Sequence, residues 1–237
     1  MSRGEAQLTG QSAATQTLAQ QLRTDTRALH SEVERTGVMR LLLHGQLDRA
    51  GYCALLRNLH AMYAALEPAL QRHAGHPAVA PVVFKALFRE APLADDLREL
   101  HGADWAEAIP LQRSTGRYVA RLHTLDEHSP ALLVAHAYLR TLGDLSGGQM
   151  LARIVSRSLQ LEPGHGIRFY DFGSPADVAV HAQVFRSRLD TLALAPSDQQ
   201  AIVDEACGAF RLHTDLFTEL AAQATATGSA ANSPDQP

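Results

Sequence analysis

The sequence is poor in cysteine and carries no excess of positive charge. Its two cysteines, Cys53 and Cys207, lie far apart, which excludes a disulfide framework or a zinc site and is typical of core residues in a reducing compartment. The 25 Asp and Glu residues outnumber the 21 Lys and Arg residues, so the net charge of −4 gives no reason to expect a nucleic acid partner. No apolar run approaches the roughly 20 residues that cross a bilayer. Since residues 1–17 also lack an apolar signal core, we expect a soluble, cytoplasmic protein with no membrane attachment.

The sequence also lacks the motifs of the common nucleotide-binding folds. No Gly-x-Gly-x-x-Gly run follows a strand-like segment, and no Gly-x-x-x-x-Gly-Lys run occurs. The single Glu-x-x-His pair, Glu162 and His165, encloses Pro163-Gly164, so one helix cannot present both side chains to a metal. A flavin or nicotinamide site is therefore not predicted, and a carboxylate-bridged di-iron bundle is disfavoured.

Helical periodicity dominates what remains. Strand-type alternation is nearly absent, since only residues 167–172 form a short candidate strand. Helices are predicted over about residues 15–35, 48–73, 80–90, 110–125, 131–160, 175–193 and 197–222. Residues 1–14 and 223–237 are rich in small and polar residues and are predicted to be disordered tails. The sequence thus predicts one all-α domain of about eight helices over residues 15–222.

A glycine-rich run interrupts the longest of these helices. Residues 142–149 read Leu-Gly-Asp-Leu-Ser-Gly-Gly-Gln, and each interior glycine costs roughly 0.5–1 kcal/mol relative to alanine. Gly143 and Gly147 stand four residues apart, as do Asp144 and Gly148, so one helix face lacks side chains. Such a face allows close packing of another helix, or close approach of a flat ligand. The embedded aspartate favours the ligand, because an acid on a helix-packing face would need a partner.

A second informative pattern lies in the first helix. Arg23, Arg27, His30 and Glu34 are spaced four, three and four residues apart, so they form a stripe along one helix face. A carboxylate one turn from a histidine can orient the imidazole and leave its other nitrogen free to bind a metal. The two arginines offer docking points for anions. An ordinary exposed helix face is the alternative interpretation.

Both patterns resemble the haem-binding helices of haem oxygenases. The run Ala-His-Ala-Tyr-Leu-Arg-Thr-Leu-Gly-Asp-Leu-Ser-Gly-Gly-Gln over 135–149 resembles the signature helix of that family, and Thr-Asp-Thr-Arg-Ala-Leu-His over 24–30 resembles its proximal helix. Further matches are Met62-Tyr63, Trp105 with Ile109-Pro110, Arg117-Tyr118-Val119, Phe185-Arg-Ser-Arg188 and Leu216-Phe217. The likeness covers about residues 15–222 and points to the soluble, bacterial-type, biliverdin-producing members.

The resemblance implies a multi-helix fold in which haem is sandwiched between a proximal and a distal helix. His30 would bind the haem iron, and Glu34 would orient its ring. The side-chain-free face of Gly143, Gly147 and Gly148 would cover the distal side and leave room for O2.

The resemblance also implies roles for further residues. Asp144 would hold a water that delivers protons to bound O2, in a network with Tyr63 and Arg140. Additional contacts with haem are implied for Arg23, Arg27, Tyr138, Arg186 and Phe210. Ala182 stands where relatives commonly carry an anchoring lysine, so the in-plane orientation of the haem, and with it the carbon that is cleaved, is less secure.

The activity that the resemblance implies is oxidative cleavage of haem b, which is both substrate and cofactor. O2 and reducing equivalents would convert it to biliverdin (the IXα isomer is expected), CO and Fe2+. Electrons would come from a ferredoxin or an NAD(P)H-dependent reductase, and the arginine-rich faces at 113–121 and 153–157 are candidate docking sites. A monomer is expected.

Two other functions stay open at this stage. One is a non-catalytic haem-binding or haem-storage protein of the same fold, although His30, Asp144 and the glycines are all present. The other is a protein of similar helical fold that binds or transforms a different small molecule. Mixing the protein with hemin and then with an electron donor separates the three.

Overall fold

The computed structural model describes the backbone of residues 16–230 and the side chains of residues 16–224. This part of the chain contains nine α-helices and no strand, which confirms the predicted all-α class. The helices are α1 (Leu18–Arg35), α2 (Gly37–Leu43), α3 (Arg49–Arg72), α4 (Glu90–Leu100), α5 (Trp105–Ala108), α6 (Arg113–His128), α7 (Leu133–Ser158), α8 (Pro175–Asp190) and α9 (Pro196–Ala230).

Helices α3, α7 and α9 build the middle of the fold. The long α9 packs against α1, α2, α6 and α7, and α3 packs against α4 and α6. One continuous cluster of buried apolar side chains runs from Leu18 in α1 to Leu220 in α9. Its largest fully buried members include Tyr52 of α3, Tyr118 of α6 and Phe185 of α8. This continuity supports the predicted domain over residues 15–222, whose boundaries stay a prediction.

Local sequence signals explain how α1 begins and why it ends where it does. Thr17 and Gln20 form a reciprocal capping box at its N-terminus. At the other end, Gly37 adopts φ +55°, and a Cβ atom there would lie 2.1 Å from the backbone oxygen of Phe217. Only glycine fits this turn. The close approach fixes the end of α1, with His30 one to two turns earlier, against α9.

The structure corrects two of the predicted elements. The helix predicted over 80–90 is replaced by two 3-10 turns, Ala80–Val82 and Lys85–Leu87. Helix α4 then begins at Glu90 and carries Pro92 in its first turn, where the missing N–H has no helical acceptor to lose. Helices α2, α4 and α5 were not predicted as separate elements.

The candidate strand at 167–172 is the second correction. Residues 168–170 form a 3-10 turn instead. The buried carboxylate of Asp96 accepts hydrogen bonds from the backbone N–H groups of Arg168 and Phe169, at 2.9 and 2.8 Å. A carboxylate on α4 therefore holds this segment, rather than a neighbouring strand.

The two predicted tails are only partly covered. Residues 1–14 and 231–237 lie outside the described residues, whereas 223–230 belong to α9, which continues past the predicted boundary at 222. Within the described part of the chain, both cysteines are free and no helix is long and apolar enough to cross a membrane.

Two arginines of the arginine-rich face at 113–121, Arg117 and Arg121, bind carboxylates of α9. Arg121 donates to both oxygens of Glu205, at 3.1 and 2.5 Å, and Arg117 donates to Asp215 at 3.2 Å. Glu205 also accepts a hydrogen bond from the buried His136 at 3.0 Å. Arg117 and Arg121 thus join α6 to α9, and the docking of an electron donor on this face stays a prediction.

Glu205 makes the stability of the fold depend on pH. Burial alone would raise the pKa of this carboxyl, but the hydrogen bonds from His136 and Arg121 outweigh it and lower the pKa to about 2 from an ordinary 4.5. A depressed folded-state pKa contributes stability that is present above the unfolded-state value and is lost as pH falls towards about 2.

We predict that Glu205→Gln lowers the free energy of unfolding by about 2 kcal/mol at neutral pH, because it removes an acceptor for two charge-assisted bonds. The gap from wild type should close as pH falls from about 4.5 to about 2. Chemical denaturation across this range measures both effects. The control is Glu127→Gln, since the Glu127 side chain is 69% exposed. A gap that persists undiminished in acid would contradict the account.

Candidate functional site

A single cleft collects the predicted proximal and distal residues. It lies between α1, α2, α7 and α9, and the space inside it, including its open mouth, is about 890 Å³. His30 and Glu34 line one side, and residues 143, 144 and 146–148 line another. Apolar side chains of α2, α3 and α9 form much of the rest.

The glycine face of α7 is partly open and partly packed. An added Cβ at Gly143 would meet no atom within 4 Å, and at Gly147 the nearest atom would be a Leu151 methyl at 3.7 Å. At Gly148 it would lie 3.6 Å from Tyr170 and 3.8 Å from Phe172. The first two glycines therefore keep the cleft open. Gly148 also lines the cleft, but the 170–172 segment packs beside it, which the sequence did not indicate.

His30 lies on the last turns of α1 with its side chain 46% exposed. Its Nδ1 atom lies 3.6 Å from a carboxylate oxygen of Glu34, too long for a direct hydrogen bond but close enough to orient the ring through charge. The Phe210 ring lies edge-on to the imidazole, with ring centroids 6.0 Å apart. Nδ1 thus faces an acid, and Nε2 remains as the nitrogen able to bind a metal in the cleft.

Arg140, Asp144 and Tyr63 form a buried network on the α7 side. An Arg140 Nη atom donates to Asp144 Oδ1 at 2.6 Å, and Arg140 Nε donates to the Tyr63 hydroxyl at 3.1 Å. Tyr63 in turn donates to Asp144 Oδ2. Both carboxylate oxygens accept hydrogen bonds, as the ionised form requires. The family resemblance implied a network of these three residues, and in the structure their side chains are in hydrogen-bonding contact.

Opposing influences act on the Asp144 carboxyl. Burial raises its pKa, while Arg140, the Tyr63 hydroxyl and the nearby Arg89 act to lower it, and the net direction is upward. Burial likewise raises the pKa of Tyr63. The result is a weakly acidic, fixed group at the edge of an apolar cleft, suited to ordering a water rather than to protonating a ligand outright.

His213 is the member of this network that the sequence interpretation missed. Its Nε2 atom lies 3.1 Å from an Arg140 nitrogen, and the residue is 1% exposed. It sits in a buried apolar stripe of α9 with Ala209, Leu216 and Phe217. A lone histidine within such a stripe was the available signal.

A second, more polar groove adjoins the cleft at His30. Arg23, Arg27 and Tyr138 line it. The charges of Arg186 and Arg23 both act on the Tyr138 hydroxyl, although burial is the larger influence and raises its pKa. The predicted anion-binding side chains of α1, α7 and α8 therefore gather beside the predicted metal ligand.

Comparison with known proteins agrees with this arrangement. Residues 16–219 match the family model described as Heme oxygenase. The chain is 40% identical to the heme oxygenase of Pyropia yezoensis over 86% of both proteins, and 40% identical to human heme oxygenase 1 over 86% of this chain and 72% of that protein. It superposes on the crystal structure of heme oxygenase-2 from Synechocystis sp. PCC 6803 in complex with heme and NO, with a TM-score of 0.86, 35% identity and 94% of each chain covered. The fold, the cleft and these matches together show that the chain belongs to the haem oxygenase family.

Proposed function

We propose that the protein is a haem oxygenase that uses O2 and reducing equivalents to cleave haem b to biliverdin, CO and Fe2+. One observation carries the proposal beyond haem binding. The carboxylate of Asp144 is fixed by Arg140 and Tyr63 at a cleft whose other side carries His30. A storage protein has no use for a fixed acid beside an open helix face.

The residues of the cleft fit haem. A flat macrocycle needs a slot without side chains, and the open Cβ positions of Gly143 and Gly147 supply one. His30 offers an imidazole nitrogen to the iron, and Phe210 offers an apolar edge to the ring. Arg23, Arg27, Tyr138 and Arg186 are suited to hold carboxylates at the mouth of the cleft.

Haem supplies the iron that reduces O2 and the porphyrin edge that is oxidised. The protein supplies orientation and protons. Asp144 would orient a water through the acceptor sites that Arg140 and Tyr63 leave free, and this water would pass protons on. The backbone of α7 at Gly143 and Gly147, which carries no side chains, would leave room for O2 beside the haem.

The chain relies on outside electrons in this proposal. A separate ferredoxin or NAD(P)H-dependent reductase donates them, and the arginine-rich faces at 113–121 and 153–157 are the candidate docking faces. We further propose that the enzyme is a monomer, since residues of one chain line the whole cleft. We also propose that it is cytoplasmic, since free cysteines suit a reducing compartment. The IXα isomer is the expected product.

Blocking the glycine face should abolish haem binding without harming the fold. Gly143→Leu puts a side chain where no atom lies within 4 Å, and it should raise the stability of the haem-free protein by about 0.5–1 kcal/mol because a helical glycine is removed. Hemin titration followed by absorbance, with thermal melting in parallel, measures both. Gly116→Leu on α6, also in open space, is the control, and intact hemin binding by Gly143→Leu would refute the slot.

The ligand role of His30 is tested by His30→Ala. The variant should bind hemin weakly through the rest of the cleft, lose the spectrum of a histidine-ligated haem and make no bile pigment. Absorption and electron paramagnetic resonance spectra report the ligation. The matched control is His128→Ala, whose side chain is 71% exposed. Undiminished turnover by His30→Ala rules out the assignment.

Asp144→Ala tests the distal network. With the ordered water released, the oxygen should be diverted from the porphyrin edge to added phenols, so phenol oxidation should rise while pigment yield falls. Pigment chromatography and a phenol oxidation assay measure the two outcomes. The control is Asp215→Asn, an exposed acid paired with Arg117. Normal amounts of pigment from Asp144→Ala would show that the proton-delivery role is wrong.

A further inference from the structure

His213 occupies an unusual position for a histidine. It lies on α9, is 1% exposed, and makes no contact with a carboxylate among its hydrogen bonds. Its Nδ1 atom lies 3.0 Å from the carbonyl oxygen of Ala209, and its Nε2 atom lies 3.1 Å from an Nη atom of Arg140. A buried histidine facing a cation needs a physical explanation, because two positive charges there would repel each other.

The hydrogen bonds fix which nitrogen of His213 carries the proton. A carbonyl oxygen only accepts, so Nδ1 must donate to Ala209. Arg140 only donates, so Nε2 must offer its lone pair. Burial, followed by the charge of Arg140, lowers the pKa of His213 to about 3. The imidazole is therefore a neutral acceptor over the whole physiological range.

Aromatic neighbours hold the ring in this orientation. Tyr118 meets it edge-on, with centroids 5.0 Å apart at 87°, and Phe217 does so at 5.7 Å and 79°. A rotated imidazole would break these contacts as well as the bond to Ala209. The lone pair of Nε2 thus points at Arg140 before any ligand arrives.

Arg140 is consequently held at three points. Its Nε binds the Tyr63 hydroxyl, one Nη binds Asp144 and the other binds His213. All three nitrogens of this planar guanidinium make hydrogen bonds, so the group cannot rotate without breaking at least one of them. Tyr63 ties this network to α3, and His213 ties it to α9.

We propose that His213 is a positioning residue: as a neutral acceptor on α9, it locks the Arg140 guanidinium in the plane that orients the Asp144 carboxylate. This role rests on the proposed function, since it matters for catalysis only if Asp144 orders the distal water. Losing the acceptor leaves a buried guanidinium N–H unpaired, and Arg140 then turns to recover a partner. Asp144 then loses its fixed direction, although His30 and the glycine face are unchanged.

Nuclear magnetic resonance of the haem-free protein tests the lock without reference to activity. The ring nitrogen shifts of His213 should show a protonated Nδ1 and an unprotonated Nε2 at neutral pH. The Arg140 side-chain N–H signals should be resolved and exchange slowly in wild type, collapse in His213→Leu, and persist in His213→Gln, whose amide oxygen reaches about as far as Nε2. A protonated Nε2, or Arg140 signals unchanged in His213→Leu, would overturn the proposal.

Turnover with hemin and an electron donor links the lock to catalysis. Pigment yield in His213→Leu should fall about tenfold, the size expected from one lost charge-assisted bond, with phenol oxidation rising, and His213→Gln should restore most of it. His136→Leu is the matched control, because His136 is equally buried but bonds to Tyr118 and Glu205 rather than to Arg140. It should leave the Arg140 signals in place.

Different results would contradict the positioning role of His213 and the proposed oxygenase function. If wild type converts hemin and His213→Leu does so with equal yield, the positioning role is wrong and the oxygenase assignment stands. If wild type binds hemin but never forms pigment, the proposed function is wrong, and the catalytic role of His213 falls with it.

Discussion

The site depends on one buried ion pair on α7, between Arg140 and Asp144, which are four residues apart in the sequence. An Nη atom of Arg140 lies 2.6 Å from Oδ1 of Asp144. Removing two charges from water is costly unless every donor and acceptor finds a partner. Here Tyr63 on α3 and His213 on α9 complete the set. Three helices therefore have to meet at one place, and the core of the fold is arranged around that meeting.

The rest of the cleft follows from what surrounds this pair. Gly143 and Gly147 lie within one turn of Asp144 on α7. Because they have no side chains, the slot beside Asp144 stays open. The glycine at 37 lets the chain turn tightly against α9 and so places the end of α1, with His30, across the cleft. The acid network on one side of the cleft and the imidazole of His30 on the other are the two features on which the proposed function rests.

Much of this could be predicted from the sequence, and the exceptions have physical causes. The all-α class and the helices around α1, α3, α6, α7, α8 and α9 follow from helical periodicity. The glycine run and the spacing of His30 and Glu34 marked both sides of the cleft. The 80–90 and 167–172 segments were misassigned, because tertiary contacts such as the carboxylate of Asp96 decide them.

Residues whose contact partners lie far away in the sequence were the hardest to predict. His213 lies 73 positions from Arg140, and its place in an apolar stripe of α9 is equally typical of an ordinary core histidine. The arginine-rich face at 113–121 looked like a free surface, but carboxylates of α9 bind Arg117 and Arg121. Gly148 likewise looked like part of an open face, although Tyr170 and Phe172 pack on it.

A crystal structure of the protein with bound hemin, with the iron located by anomalous scattering, tests the central claim most directly. The account predicts an iron atom bonded to Nε2 of His30, with the backbone at Gly143 and Gly147 over the opposite face and Asp144 near the vacant axial position but not bonded to the metal. An iron atom bound through another side chain, or a macrocycle seated away from the glycine face, would contradict it.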